Sequence, residues 1–119
     1  MDDLETRITQ YQQAALLHGQ ATAVGDYQAG NQQHDRLVAI YLELKSMGPA
    51  AVALLGSLLH NEDDNVACWA ATHLLPYQES LAVATLTRVA AISGIVGFTA
   101  TITLQEWQKG RLKLDYPGH

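Results

Sequence analysis

The sequence predicts an all-α protein of about six antiparallel helices, and three observations carry that expectation. Apolar residues recur at helical spacing along most of the chain, short Gly, Pro and Asp/Asn signals punctuate them at regular intervals, and only one segment alternates with a strand-like period. At 119 residues, 48% hydrophobic and 16% charged, the chain suits one domain, 1–110, that buries a core without disulfide or metal, followed by a flexible tail at 111–119.

The first helix, about Leu4 to Val24, sets Leu4, Ile8, Tyr11, Ala15 and Leu16 on one face, and Asp2, Asp3 and Glu5 complement its positive end. Gly25 reads as its stop and Asp26 as the N-cap of a second helix to Ser46, with Leu37, Ile40, Tyr41 and Leu44 inward. That helix begins with the polar run YQAGNQQHD, which either frays into solvent or carries specific hydrogen bonds. Gly48-Pro49 turns the chain into a third helix to Leu59, presenting Val52, Leu55 and Leu59. In HNEDDN, Asn61 ends this helix and Asp63 or Asp64 caps a fourth, about Asn65 to Leu75, which stops before Pro76. A fifth, about Tyr77 to Ala91, presents Leu81, Leu86 and Val89.

The last element is the ambiguous one. In FTATITL, Phe98, Ala100, Ile102 and Leu104 alternate with three threonines, a strand-like pattern that local sequence alone does not separate from a helix. No other segment offers a pairing partner, and a lone strand leaves its ladder groups unsatisfied, so the expectation is a helix through Val96, Ala100 and Leu104 ending at Gly110. Phe98 and Trp69, both within apolar runs, are expected in the core.

Val66, Ala70 and Leu74 recur thirty residues on as Val96, Ala100 and Leu104, bracketing one helical hairpin, which suggests stacked helix pairs. Asp64-Asn65-Val66 followed by Ala70-Ala71 and Leu74 resembles the first helix of a HEAT repeat: an acidic cap, a valine, an alanine pair and a leucine. With GDYQAGN, LGSLLHNEDDNVACWAATHLL and TITLQEWQKG, the chain resembles a small bacterial family of unknown function with a HEAT-like α-α superhelix, over roughly Tyr11 to Gly110. The resemblance implies that fold and supplies no catalytic residues. Ala67 stands where a HEAT repeat usually has a basic residue, which points to a shortened variant.

Composition narrows the function. The N-terminal MDDLETRITQ has acids where a secretory signal has bases, and the single Cys68 lies in an apolar helical pattern, so a reducing cytoplasm is the expected setting. Leu81 to Leu104 carries only Arg88, whose burial at a bilayer centre costs about 2.5–3.5 kcal/mol, and the segment reads as two buried helices rather than a membrane span. The net charge of −5 is uneven: residues 1–64 hold nine acids against Arg7, Arg36 and Lys45. The remainder sets Glu79, Glu106 and Asp115 against Arg88, Lys109, Arg111 and Lys113. An acidic N-terminal half repels nucleic acid and favours a basic protein partner, although a mildly acidic surface also simply keeps soluble proteins dispersed.

No spacing in the sequence resembles a calcium loop, a zinc motif or a phosphate-cradling glycine loop, so no cofactor is expected. A zinc site would have to be assembled across helices from His60, His73 and Asp64 or Cys68; His18, His34, His60, His73 and His119 read instead as surface or helix-end residues. Cys68 has no basic neighbour in sequence to make it a nucleophile. The candidate partner-binding residues are the acids Glu43, Glu62, Asp63 and Asp64 and the helix-end aromatics Tyr27, Tyr77 and Trp107. By analogy of fold, the leading expectation is a non-catalytic immunity protein that captures a basic toxin domain, acting as a monomer or homodimer. The alternatives are a self-associating scaffold and a metalloprotein around His60, Asp64 and His73.

Overall fold

Residues 3–117 are described by a computed structural model, and each expected segment forms a helix. Asp2 and His119 lie outside the described residues. The six helices are α1 (Asp3–Ala23), α2 (Tyr27–Met47), α3 (Pro49–Ala53), α4 (Asp64–Leu74), α5 (Glu79–Ala90) and α6 (Ile95–Gln108), with no strand among the described residues.

The expected caps are in place. Asp26 Oδ1 accepts from the Ala29 amide at 3.1 Å and opens α2. At the HNEDDN corner, Asn61 Oδ1 accepts from the Asp63 amide at 2.9 Å, and Asp63 Oδ1 accepts from the Val66 amide at 3.0 Å. Asp63 therefore caps α4, and replacing it with Ala is expected to cost about 1 kcal/mol in urea unfolding, whereas Glu62→Ala stays within about 0.5 kcal/mol. The corners after α1 and before α6 turn on Gly25 (φ 74°) and Gly94 (φ 98°), left-handed conformations that favour glycine.

Two boundaries differ from the sequence reading. The third helix tightens into a 3₁₀ turn over Leu54–Leu58, around Gly56, a poor helix propagator, with Ser57 Oγ donating to the Leu54 carbonyl at 3.0 Å. The fifth begins at Glu79 rather than Tyr77, because the Tyr77 and Gln78 amides both bond back to the Leu74 carbonyl, at 2.9 and 2.7 Å, and close off α4.

FTATITL is helical. Its threonines fit because their hydroxyls donate along the helix, Thr101 to the Gly97 carbonyl and Thr103 to the Thr99 carbonyl, both at 2.9 Å. Ala100 is fully buried and Val96 and Leu104 pack against the core, but Phe98 is 68% exposed and Leu81 57% exposed. Both therefore depart from their expected inward positions. For Phe98 the reason is that α6 is the last helix of the array and has α5 and α4 on one side only, so a helix apolar on two faces leaves one in water; Leu81 lies in the first turn of α5, where Glu79 and Ser80 are exposed as well.

Consecutive helices pack as antiparallel hairpins, α1 on α2, α4 on α5 and α5 on α6, and α1 also lies against α4. Asn65 ties that last contact by donating from Nδ2 to the Ala15 carbonyl at 2.7 Å, while Gly19 leaves room for the Asn65 side chain. Tyr11, Leu37, Tyr41, Leu44, Leu74 and Leu86 fill the centre. The radius of gyration, 13.3 Å, is that of a closed domain of this length, about 13.5 Å, so six short helices fold over one core without opening into a long solenoid. Residues 111–117, expected as part of a flexible tail, form neither helix nor strand, yet Leu112 and Tyr116 pack back onto the core.

Candidate functional site

Three helices each contribute a pair of rings from one face. Tyr11 and His18 are seven residues apart on α1, His34 and Tyr41 seven apart on α2, and Trp69 and His73 four apart on α4, spacings that align side chains along a helix. Helix packing turns these pairs into two tiers. In the inner tier His73 stacks on Tyr41 with ring centroids 4.0 Å apart and planes 9° apart, and its Nδ1 lies 2.6 Å from the Tyr11 hydroxyl. In the outer tier the Trp69 ring is 5.5 Å from both His18 and His34.

The C-terminal segment closes this cluster. The Tyr116 hydroxyl lies 2.8 Å from His73 Nε2, so the imidazole is bracketed by two phenols. Tyr116 is also the one described non-glycine residue with a left-handed backbone, at φ 46°, a conformation that costs energy and is held by the contacts of its side chain.

His73 lies in the last turn of α4, a helix-end position as expected, but it is fully buried rather than on the surface. Desolvation, reinforced by His34, pushes its pKa down to about 3, so the ring is neutral near pH 7. A neutral imidazole carries one N–H, so it donates to one tyrosine and accepts from the other. Burial pushes the Tyr116 hydroxyl up to about 12 and that of Tyr11 well above its usual value. The trio is thus a hydrogen-bonded latch that ties the C-terminal segment to α4 and α1. Cys68 is buried beside it, its thiol pushed up to about 11 by desolvation, and it behaves as the small buried hydrophobe expected.

His18 is oriented differently. Its Nδ1 accepts from Trp69 Nε1 at 3.3 Å and from Asn65 Nδ2 at 3.2 Å, two groups that only donate. The ring proton therefore sits on Nε2, consistent with a pKa lowered by desolvation and then by His34. Against this outer tier lies a cavity of about 300 Å³.

The residues singled out from sequence fall into separate places. Asp63 is spent as a cap, Asp64 Oδ1 lies 3.8 Å from Arg88, and Glu62 is exposed. Asp63 and Asp64 line a surface cleft with Gly94, Ile95 and Val96 at the start of α6. Glu43 pairs with Arg7 at 2.7 Å on another face. Tyr77 and Trp107 come together in a second cleft, where Trp107 Nε1 donates to Glu79 at 2.8 Å, and Tyr27 is 75% exposed outside both clefts. The metal alternative is not assembled: His60 is exposed and His73 buried, and among the described residues no three His, Cys, Asp or Glu side chains are placed to share an ion.

Sequence reasoning missed the exposed apolar stripe of α6, Ile95 at 60%, Phe98 at 68% and Ile102 at 40%. Its signal was present, because these residues keep a helical spacing opposite Val96, Ala100 and Leu104 once the segment is taken as a helix.

Fold and site together define an all-α protein of stacked helical hairpins with a histidine–aromatic cluster at its centre. No family model, curated protein or solved structure matches the chain. None of its described helices is long and apolar enough to cross a membrane.

Proposed function

We propose that this chain is a non-catalytic protein-binding module of the immunity-protein type, acting in the bacterial cytoplasm on a basic cognate toxin domain. The observation that carries the reading is the junction at the start of α6, where Asp63 and Asp64 share a cleft with Ile95, the first residue of the exposed Ile95–Phe98–Ile102 stripe. Apolar anchors beside a carboxylate rim are what a specific interface with a basic protein requires: the anchors hold, and the charges speed capture. Because Asp63 and Asp64 already serve the fold, Phe98 replaces the acidic triplet as the main anchor, and Glu62 and Asp64 act on the approach of the partner.

Co-expression with a candidate basic toxin domain tests this by rescue of growth. Phe98→Asp is expected to abolish rescue with the melting temperature unchanged, since Phe98 contributes little to the core. Glu62→Gln with Asp64→Asn should slow association and flatten its salt dependence. Rescue by Phe98→Asp at wild-type level, or salt-independent capture, would overturn the reading. The uncharged character of the stripe also favours self-association as a scaffold, and a dimer in sedimentation that Phe98→Asp dissociates would put that function first.

A further inference from the structure

We infer that the cavity beneath the C-terminal segment is a binding site for a small planar aromatic molecule carrying a carboxylate. It lies between His18 of α1, His34 of α2, Trp69 of α4, Thr103 of α6 and the returning Tyr116, and its volume of about 300 Å³ suits a one- or two-ring ligand. Three observations fix the chemistry.

The first is shape. The Trp69, His18 and His34 rings stand 5.5 to 6.4 Å apart and give the cavity aromatic walls, a lining that favours a flat π-system over an aliphatic one. The second is the supply of donors. With Nδ1 of His18 taken by Trp69 and Asn65, its proton is fixed on Nε2, and three of the four threonine hydroxyls of the lining are engaged elsewhere: Thr22 donates to the Gly19 carbonyl at 3.0 Å, Thr72 to that of Cys68 at 2.8 Å and Thr103 to that of Thr99 at 2.9 Å. The groups left to orient a ligand are therefore the two imidazoles and, from exposed positions, the Thr99 hydroxyl and Lys113. The third is charge. No Asp or Glu lines this cavity, although the chain carries 12 of them and a net charge of −5. Asp35 lies outside the lining, 3.6 Å from Nδ1 of His34, so a carboxylate entering the cavity meets donors and one ammonium group at its walls.

The C-terminal segment doubles as the cover. Leu112, Leu114 and Tyr116 form one wall, and the bond from Tyr116 to buried His73 holds that wall shut against a left-handed backbone. The exposed Ile95, Thr99 and Lys113 leave the opposite edge of the cavity open as the way in, and Tyr116→Phe, which loosens the covering wall, should speed both association and release.

The test is a titration of the full chain with 2-naphthoate followed by ¹H–¹⁵N NMR. The Trp69 indole N–H reports on the cavity, and the Ser57 amide, in a cleft with Glu5, Ile8 and Thr9 that shares no residue with it, serves as control. Saturable shifts of Trp69 with Ser57 unmoved are expected, and replacing the ligand by the neutral 2-naphthamide, or introducing Lys113→Met, should each weaken binding about tenfold. Thr103→Phe should fill the cavity and abolish binding; should that variant fail to fold, Thr99→Trp at the exposed edge of the same cavity blocks it without entering the core. An unmoved Trp69 at millimolar 2-naphthoate, equal binding of the amide, equal binding of cyclohexanecarboxylate, or full binding by the blocked variant overturns the proposal.

Discussion

Lowering the pH from 7.5 to 4.5 will destabilise the native protein by roughly 2 to 3 kcal/mol through His73 alone. The folded ring titrates at about 3, whereas an unfolded histidine titrates near 6.5, so between those values the unfolded chain binds a proton that the folded one refuses. Stability therefore falls by about 1.4 kcal/mol for each pH unit below 6.5 and levels off near pH 3. The half-buried His18, also lowered by desolvation, adds in the same direction. Protonation cannot be accommodated locally, because Tyr11 and Tyr116 accept hydrogen bonds without supplying charge, and His34 lies beside the site. Urea unfolding at several pH values measures the slope, and His73→Gln, which keeps an amide donor and acceptor but does not titrate, should remove most of it. A wild-type slope in that variant would assign the acid sensitivity to other groups.

Gly97→Ala will destabilise the protein by about 3 kcal/mol or more. A Cβ built on Gly97 would stand 1.6 Å from the Ile92 carbonyl oxygen and 2.8 Å from its carbon, so the turn that joins α5 to α6 folds directly back over the first turn of α6. Backbone cannot step aside as a flexible side chain does, and the α5–α6 hairpin must open to admit the methyl group. Gly30→Ala provides the opposite expectation within the same molecule. Gly30 lies in the first turns of α2, where the added Cβ meets only Thr22 Cγ2 at 3.6 Å, an ordinary contact, and the better helix former should stabilise by about 0.5–1 kcal/mol. Thermal unfolding of the two variants separates a steric glycine from a dispensable one. Equal behaviour would contradict the close crossing at Ile92.

Both expectations depend on residues that sequence reading treated as incidental. His73 carries nothing in its neighbourhood to mark it as buried: it ends a helix, next to Leu74 and Leu75 and before Pro76. Its burial follows from partners 62 and 43 residues away, Tyr11 and Tyr116, which no local pattern connects. Gly97 likewise reads as a weak spot in a helix, and only the return of the Ile92 turn over α6 shows that nothing larger fits. The acidic triplet was legible in the other direction, since caps obey local rules, and Asp63 does what an aspartate before an apolar helical run is expected to do.

By itself, the sequence determined the helices, their order and most of their inward faces, because amphipathic spacing, caps and Gly or Pro corners act over a few residues and need no distant partner. Leu37, Leu44, Leu55, Val66, Ala70 and Leu74 are buried for that reason. Only the tertiary structure decided which of α6's two apolar faces meets water, that Tyr116 returns to latch His73, and that rings from three helices enclose a cavity free of carboxylates. These are contacts between segments far apart in sequence. Their geometry is set by how whole helices pack, a property that a local pattern constrains without specifying.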